Sequence, residues 1–414
     1  MENLEKVILV GIELPGMSSE QVEESMNELA ALADTAGAEA VDSFIQRRNR
    51  PDSKYFIGKG KAEETSQRCR ELEAQLVIFD HELSPSQIRN LIDLMEVRVL
   101  DRTQLILDIF AQRASTKEGK LQVELAQLKY LLPRLTGQGK FLSRLGGGIG
   151  TRGPGETKLE TDRRRLRERI VDIQAELEEV KKHRALLRKG RKQVPVVSLV
   201  GYTNAGKSTL LNKLTGSDVL VEDKLFATLD PTTRQVILPN NDEILVTDTV
   251  GFIQNLPHHL VAAFRATLEE VIEADLLLHV VDSTHPNCFE QYKAVQSVLS
   301  SLEVENKPSI LVLNKADGLP KPDLNLWINI AGTPVTAISA LTGEGLPGLL
   351  ETIAKNLAYR RVRTTFLIPY AKGYLLSQVH EQGLVLSEEH GNDGVRVEVE
   401  IERVWAERIA AGLK

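Results

Sequence analysis

Cysteine is nearly missing from this chain. Cys69 and Cys288 are the two in 414 residues, far apart and outside any Cys-x-x-Cys or His-rich spacing. That argues against a disulfide framework or a structural metal and for buried free thiols in a reducing compartment. A long apolar run is missing too. Leu276–Val281 is interrupted by His279 and reads as a core strand, while Val7–Val10 is too short for a leader and lacks basic residues ahead of a cleavage site. A cytoplasmic chain, read as a monomer without a membrane span, is expected. Its 414 residues exceed one ordinary core, so two or more domains are expected as well.

What is present is a phosphate-binding loop. Gly201-Tyr202-Thr203-Asn204-Ala205-Gly206-Lys207-Ser208 matches G-x-x-x-x-G-K-[ST] in full, with Thr209 following. Val196, Val197, Leu199 and Val200 before it read as a strand, and Leu210, Leu211 and Leu214 after it recur at helical spacing. A loop so placed aims backbone N–H groups and a helix N-terminus at phosphates. Gly201 and Gly206 permit the tight backbone, Lys207 neutralises the β/γ-phosphates, and Ser208 offers its hydroxyl to Mg²⁺.

Further motifs follow in order. Ile310–Leu313 reads as a buried strand ending in Asn314-Lys315-Ala316-Asp317, the N-K-x-D pattern. A carboxylate at Asp317 accepts from guanine N1–H and its amine; adenine offers neither in that arrangement and would leave a desolvated charge unpaired. The Lys315 stem lies over the base in this reading. Ser339-Ala340-Leu341, after the short strand Val335–Ile338, is similar to the loop that contacts the guanine carbonyl oxygen. Between them, Glu243–Val246 lead into Asp248-Thr249-Val250-Gly251, the D-x-x-G of switch II. Asp248 would hold Mg²⁺ through a water, and the Gly251 N–H would meet the γ-phosphate. Glutamine is absent where Ras-like enzymes use one to orient water. Phe252 stands there and has no polar group, so slow intrinsic hydrolysis, or help from a partner, an ion or a loop, is expected. For switch I, spacing leaves Thr228, Thr232 and Thr233 open.

Residues 1–101 alternate strand-like and helix-like segments and predict an α/β domain, with Ser84-Pro85 as a helix start. The tight basic turn Gly58-Lys59-Gly60-Lys61 is read as opening a helix. Over 102–192, Leu121, Leu125, Leu128 and Leu132 step by heptad spacing, as do Leu166, Ile170, Ile173, Leu177 and Val180. An antiparallel helical hairpin is predicted, broken at Gly137–Gly155 by glycines and Pro154. Lys140–Lys192 carries sixteen Lys or Arg against eight Asp or Glu, net +8 in a chain of −7. Positive charge concentrated on one projection of an acidic protein, with Arg163, Arg164, Arg165, Arg167 and Arg169 unable all to lie on the apolar seam, points to RNA phosphate. The P-loop domain is placed at 193–360. A basic connection, Arg360-Arg361-Val362-Arg363, then leads into a small α/β module at 361–414, in which Val395, Val397, Val399 and Ile401 mark a strand with one buried face.

Longer strings extend the pattern: YFIGKGKAEE at 55–64, FDHELSPSQIRNL at 79–91, LDRTQLILDIFAQRA at 100–114, EGKLQVELAQLKY at 118–130 and GGGIGTRGPGETKLETDRRR at 146–165. Over nearly its whole length the chain resembles the HflX-type GTPases of the Obg-like branch of translation GTPases. The resemblance implies a GTP- and GDP-binding hydrolase of the cytosol, dependent on Mg²⁺, that binds the large ribosomal subunit and its RNA and splits or rescues stalled ribosomes under stress. It also implies that Phe226-Ala227-Thr228-Leu229-Asp230 is switch I, which favours Thr228 beside Ser208 as a Mg²⁺ ligand. Asn204 fits the G-x-x-N-x-G-K-S variant of potassium-assisted GTPases, in which its carbonyl helps hold K⁺; its other reading is a loop asparagine tolerating an unusual backbone. Two rival functions stay open, an ATP-driven RNA-remodelling enzyme using the N-terminal domain and a GTP-binding assembly factor with negligible turnover.

Overall fold

A computed structural model of the chain describes residues 4–135, 154–189, 194–216, 224–254, 268–318, 323–358, 361–391 and 393–413, which build three sheets. The first is parallel, in the order β2-β1-β3-β4, from β1 (Glu5–Glu13), β2 (Ala38–Arg47), β3 (Leu76–Phe79) and β4 (Arg98–Asp101). Helices α1 (Ser19–Thr35), α2 (Lys59–Leu72) and α3 (Pro85–Met95) connect its strands. Its central strands are apolar on both faces, as parallel strands covered by helices require, and Val7–Val10 and Leu76–Phe79 are all buried. Ser18 with Gln21 and Ser84 with Gln87 form capping boxes that start α1 and α3, and Pro85 takes the first position of α3. The basic turn at Gly58–Lys61 is a helix start. Lys59 pairs with Glu63 and Lys61 with Glu64, and the Lys61 ammonium also lies over the Phe44 ring.

Next come α4 (Arg102–Arg113), α5 (Lys117–Arg134) and α6 (Pro154–Lys189). Leu121, Leu125 and Leu128 of α5 pack on Ile170, Ile173 and Leu177 of α6. Lys117 pairs with Glu176 while Glu124 pairs with Arg169, so numbering rises on one helix as it falls on the other and the two are antiparallel. Two details depart from expectation. Helix α6 already begins at Pro154, because a proline in the first turn forfeits no helical hydrogen bond. Arg169 is committed within the hairpin, its guanidinium bidentate on Glu124 at 2.7 and 2.8 Å. The rest of the expected glycine-rich tip, 136–153, lies outside the described residues.

The central sheet runs β10-β9-β8-β5-β7-β6, parallel except for β6. Its strands are β5 (Val196–Gly201), β6 (Thr232–Ile237), β7 (Glu243–Asp248), β8 (Leu276–Asp282), β9 (Ser309–Asn314) and β10 (Val335–Ala337). Helices α7 (Lys207–Thr215), α8 (Glu269–Glu273), α9 (Cys288–Ser301), α10 (Leu324–Ala331) and α11 (Leu346–Ala358) accompany it. The third sheet is antiparallel, β11 (Arg361–Ile368) and β12 (Gly383–Gly391) flanking β13 (Gly394–Glu402), with α12 (Gly373–Gln382) and α13 (Arg403–Leu413) on it. Arg361–Arg363 are therefore part of a strand and not a linker. Register sets Arg363 opposite Glu400, and its Nε donates to the nearby Glu398 at 2.8 Å, so a paired basic residue sits comfortably in the ladder.

One apolar cluster joins the first sheet to the central one. It runs from Val7, Leu9 and Leu29 through Ile106, Phe110 and Tyr130 to Val200, Tyr202, Phe226 and Phe252. Phe110 of α4 meets Phe226 edge to face at 4.6 Å, a geometry that contributes about 1 kcal/mol beyond the area it buries.

Candidate nucleotide-binding site

The phosphate loop, the switch II motif and the N-K-x-D motif lie at the C-terminal ends of parallel strands, the edge at which open α/β sheets bind ligands, whereas switch I precedes the antiparallel β6. Gly201 ends β5, Asp248 ends β7, Asp282 ends β8 and Asn314 ends β9, and the adjacency of β7, β5, β8 and β9 brings them to one groove. Gly206 is required there twice over: it holds φ +90°, and a Cβ would stand 2.2 Å from Asn314 Nδ2. Gly251 is equally confined, since a Cβ would fall 2.9 Å from Thr203 Cα. Thr203, Asn204, Gly206–Thr209, Phe226–Thr228, Thr249 and Gly251 line one cavity.

Lys207 is buried at the start of α7, its Nζ donating to the carbonyls of Gly201 at 3.1 Å and Tyr202 at 2.8 Å. Burial pulls its ammonium down to about 8, against the opposing charge of Asp248. Three oxygen groups converge beside it. Ser208 Oγ donates to Asp248 Oδ2 at 2.6 Å and lies 2.9 Å from Thr228 Oγ1. Asp248 Oδ1 is buried without a hydrogen-bond partner among the described residues, and burial raises this carboxyl despite Lys207 and Ser208. Two hydroxyls and an under-satisfied carboxylate are the hard oxygen donors that Mg²⁺ prefers, so the residues fit the ion the fold implies. Of the three switch I candidates, only Thr228 is here. Thr233 sits on β6 with its hydroxyl 2.9 Å from that of Thr247, and Thr232 pairs with Asp248 through the β6–β7 ladder.

The base-side residues divide their work. Asn314 is buried, its Nδ2 donating to Ala205 O at 2.8 Å and its Oδ1 accepting from Ala340 N–H at 2.9 Å, so it braces the P-loop against the 339–341 loop. Lys315 holds φ +62° and its ammonium lies 2.7 Å from Asp282. Asp317, in the turn Ala316–Gly318, is exposed and makes no hydrogen bond or ion pair among the described residues, which leaves its carboxylate open to a base. Ser339 is buried and Leu341 is exposed on the lip.

Asn204 holds φ +59° and is exposed, so the loop needs a residue that tolerates the left-handed region, whatever else its carbonyl does. Thr249 Oγ1 donates to Leu199 O at 2.6 Å and Val250 is buried, which seats the start of switch II on the sheet. Phe252 is 3% exposed and packs into the shared apolar cluster. Its backbone pairs with the P-loop, Thr203 N–H donating to Phe252 O at 2.7 Å and Phe252 N–H to Gly201 O at 3.1 Å.

A buried polar network that sequence reading missed ties this loop to the first sheet. Tyr202 Oη donates to Glu28 of α1 and accepts from Gln254 N–H at 2.7 Å. Arg102 donates to Glu28, to Asp80 at 2.7 Å and to the Gln254 carbonyl at 3.4 Å, and Ser25 donates to Asp80 at 2.6 Å. Burial pushes the Glu28 carboxyl up, against the pull of Arg102 and Tyr202. The partners of Tyr202 are 52 and 174 positions away, beyond any local signal.

Known proteins resemble this chain along nearly its whole length. Family models described as GTP-binding GTPase N-terminal, GTP-binding GTPase Middle Region, 50S ribosome-binding GTPase and HflX C-terminal domain match residues 23–111, 113–191, 196–315 and 329–413. GTPase HflX of Caldanaerobacter subterraneus subsp. tengcongensis is 52% identical over 98% of this chain and 93% of its own. GTPase HflX of Escherichia coli K12 is 47% identical over 90% of this chain and 88% of its own. A solved GTP-binding protein from Sulfolobus solfataricus in complex with GDP is 27% identical, covers 85% of this chain and 98% of its own, and has a TM-score of 0.47. With matching models along almost the whole chain and relatives this similar over nearly their full length, the chain belongs to the HflX family of GTPases.

Proposed function

We propose that this protein is a cytoplasmic GTPase that engages the large ribosomal subunit in its GTP-bound state, splits or rescues stalled ribosomes, and is reset by hydrolysis. The observation that carries the RNA contact is a row of arginines on α6: Arg164, Arg165 and Arg167 are exposed, unlike Arg169. The match of residues 196–315 to the 50S ribosome-binding GTPase description supports the same partner. In this reading Lys207 neutralises the β/γ-phosphates, Gly251 donates its N–H to the γ-phosphate, and Asp317 selects guanine. Ser208 and Thr228 hold Mg²⁺ directly and Asp248 through water; the ion neutralises charge that develops on the phosphates. Phe252, at the position where Ras-like enzymes use a glutamine to orient water, is buried in the core and offers no polar group for that task.

Replacing Arg164, Arg165 and Arg167 by glutamine is expected to weaken binding to purified large subunits and to flatten its salt dependence. Each phosphate that is no longer neutralised lowers the log–log slope by roughly 0.7 to 0.9. Affinities of the full chain measured across a KCl series check this, and an unchanged slope moves the RNA-binding surface elsewhere.

The K⁺ reading of Asn204 has its own test. Exchanging Na⁺ for K⁺ is expected to raise the hydrolysis rate of the wild type and not that of Asn204→Gly, in which glycine keeps the left-handed backbone and removes the carbonyl. Equal rates of the wild type in both salts would dispose of the ion.

A further inference from the structure

Besides the Ser208 contact to Thr228, both ends of switch I are gripped by the helical segment. Asp230, the last residue of that motif, accepts four hydrogen bonds from the N-terminus of α5. Its Oδ2 accepts from Ser115 N–H at 2.8 Å, Ser115 Oγ at 2.6 Å and Thr116 N–H at 2.9 Å, and its Oδ1 from Thr116 Oγ1 at 2.5 Å. An internal carboxylate thus occupies the positive end of a helix dipole. Thr116 is also the N-cap of α5, its Oγ1 accepting from Gly119 N–H at 2.9 Å. Gly119 leaves room for the carboxylate: a Cβ there would lie 2.4 Å from Asp230 Oδ1. At the other end of the motif Phe226, held at φ +54°, packs on Phe110 of α4. Thr228 lies between these two anchors.

We propose that Ser115, Thr116 and Gly119 form a latch on Asp230 that positions switch I, so that the pose of the α5–α6 hairpin sets where the Thr228 hydroxyl stands. They are positioning residues, acting through Thr228, and the proposal rests on the assignment of Thr228 to Mg²⁺ made above. Helix α5 spans 18 residues, and its one proline, Pro133, stands a single residue from its C-terminal end, so the body of the helix is stiff enough to carry a tilt of the hairpin to its own N-terminus. Linkage makes the coupling reciprocal: a nucleotide that favours closed switch I strengthens the latch, and a hairpin held by a partner favours that nucleotide by the same factor.

Gly119→Ala separates a latch from a structural helix start. Alanine favours a helix over glycine, which offsets part of the stability lost when the new methyl group pushes the Asp230 carboxylate out of its seat. The full chain is titrated with GDP and with a non-hydrolysable GTP analogue in millimolar Mg²⁺. Expected is a loss of about tenfold in analogue affinity, the size of one or two hydrogen bonds to a charge, with GDP affinity kept and more Mg²⁺ needed for half-saturation. Asp230→Asn, which keeps the shape and cannot accept all four donors, is expected to lower the analogue-to-GDP affinity ratio likewise and decides the matter if Gly119→Ala fails to fold. Thr228→Ala is the reference. If it lowers the ratio while Gly119→Ala and Asp230→Asn keep the wild-type value, the latch is wrong and Thr228 stands. If Thr228→Ala itself keeps the ratio, the assignment of Thr228 falls, and the proposal with it.

Discussion

Replacing Asp317 by asparagine is expected to weaken GTP binding by roughly a hundredfold and to improve binding of xanthosine triphosphate. The carboxylate is exposed just past the end of β9 with no partner among the described residues, whereas the neighbouring Asn314 amide is committed to Ala205 and Ala340. In the proposed reading, discrimination between bases rests on this one acidic group. An asparagine turns one acceptor oxygen into a donor and faces guanine N1–H and the amine with the wrong polarity, a mismatch that costs about 3 kcal/mol. Xanthine carries a carbonyl where guanine carries the amine and accepts from the new amide. Competition binding with GTP, ATP and xanthosine triphosphate reads both changes. Wild-type GTP affinity in the variant would refute the guanine assignment, and ATP outcompeting GTP on the unaltered chain would revive an ATP-driven motor.

Turnover by the isolated protein is expected to be slow and to rise by about a hundredfold or more on purified large ribosomal subunits. Phosphoryl transfer is accelerated mainly by positioning and by stabilising charge, and one well-placed group is worth roughly a hundred- to a thousandfold. Here the position that could orient water carries Phe252, whose ring is buried in the cluster that also holds Val200, Tyr202 and Phe226. A rotation of that ring brings no polar atom to the nucleotide, so the missing group must come from outside the switch II side chain. Phosphate release measured with and without subunits checks this. Equal, negligible rates would favour a GTP-binding assembly factor that works without turnover, and equally fast rates in both would mean that the chain carries its own catalytic group.

The placement of the site's motifs was legible wherever they are written in contiguous residues. Gly201–Ser208, Asp248–Gly251 and Asn314–Asp317 each sit on one turn after one strand, and turn chemistry depends on neighbours a few positions away. The hairpin seam at Leu121, Leu125, Ile170 and Ile173 was legible for the same reason, because helical periodicity is local. Of the expected basic connection, Arg361–Arg363 misled, since a charge-rich segment is polar whether it forms a linker or, as Arg363 does with Glu398, a paired strand; Arg360 lies outside the described residues.

The sequence by itself determined the identity of the nucleotide loop, its strand-to-helix setting, the missing switch II glutamine and the helical pattern of the hairpin. Only the tertiary structure decided which of Thr228, Thr232 and Thr233 meets Ser208, that Asn314 is a brace, that Arg169 is spent on Glu124, and that Asp230 belongs to Ser115 and Thr116. Asp230 and Ser115 are 115 positions apart, and Tyr202 and Glu28 are 174 apart. Such partners are chosen by how packed elements dock, because burial selects whichever donor can satisfy a desolvated carboxylate and leaves no periodic trace along the chain.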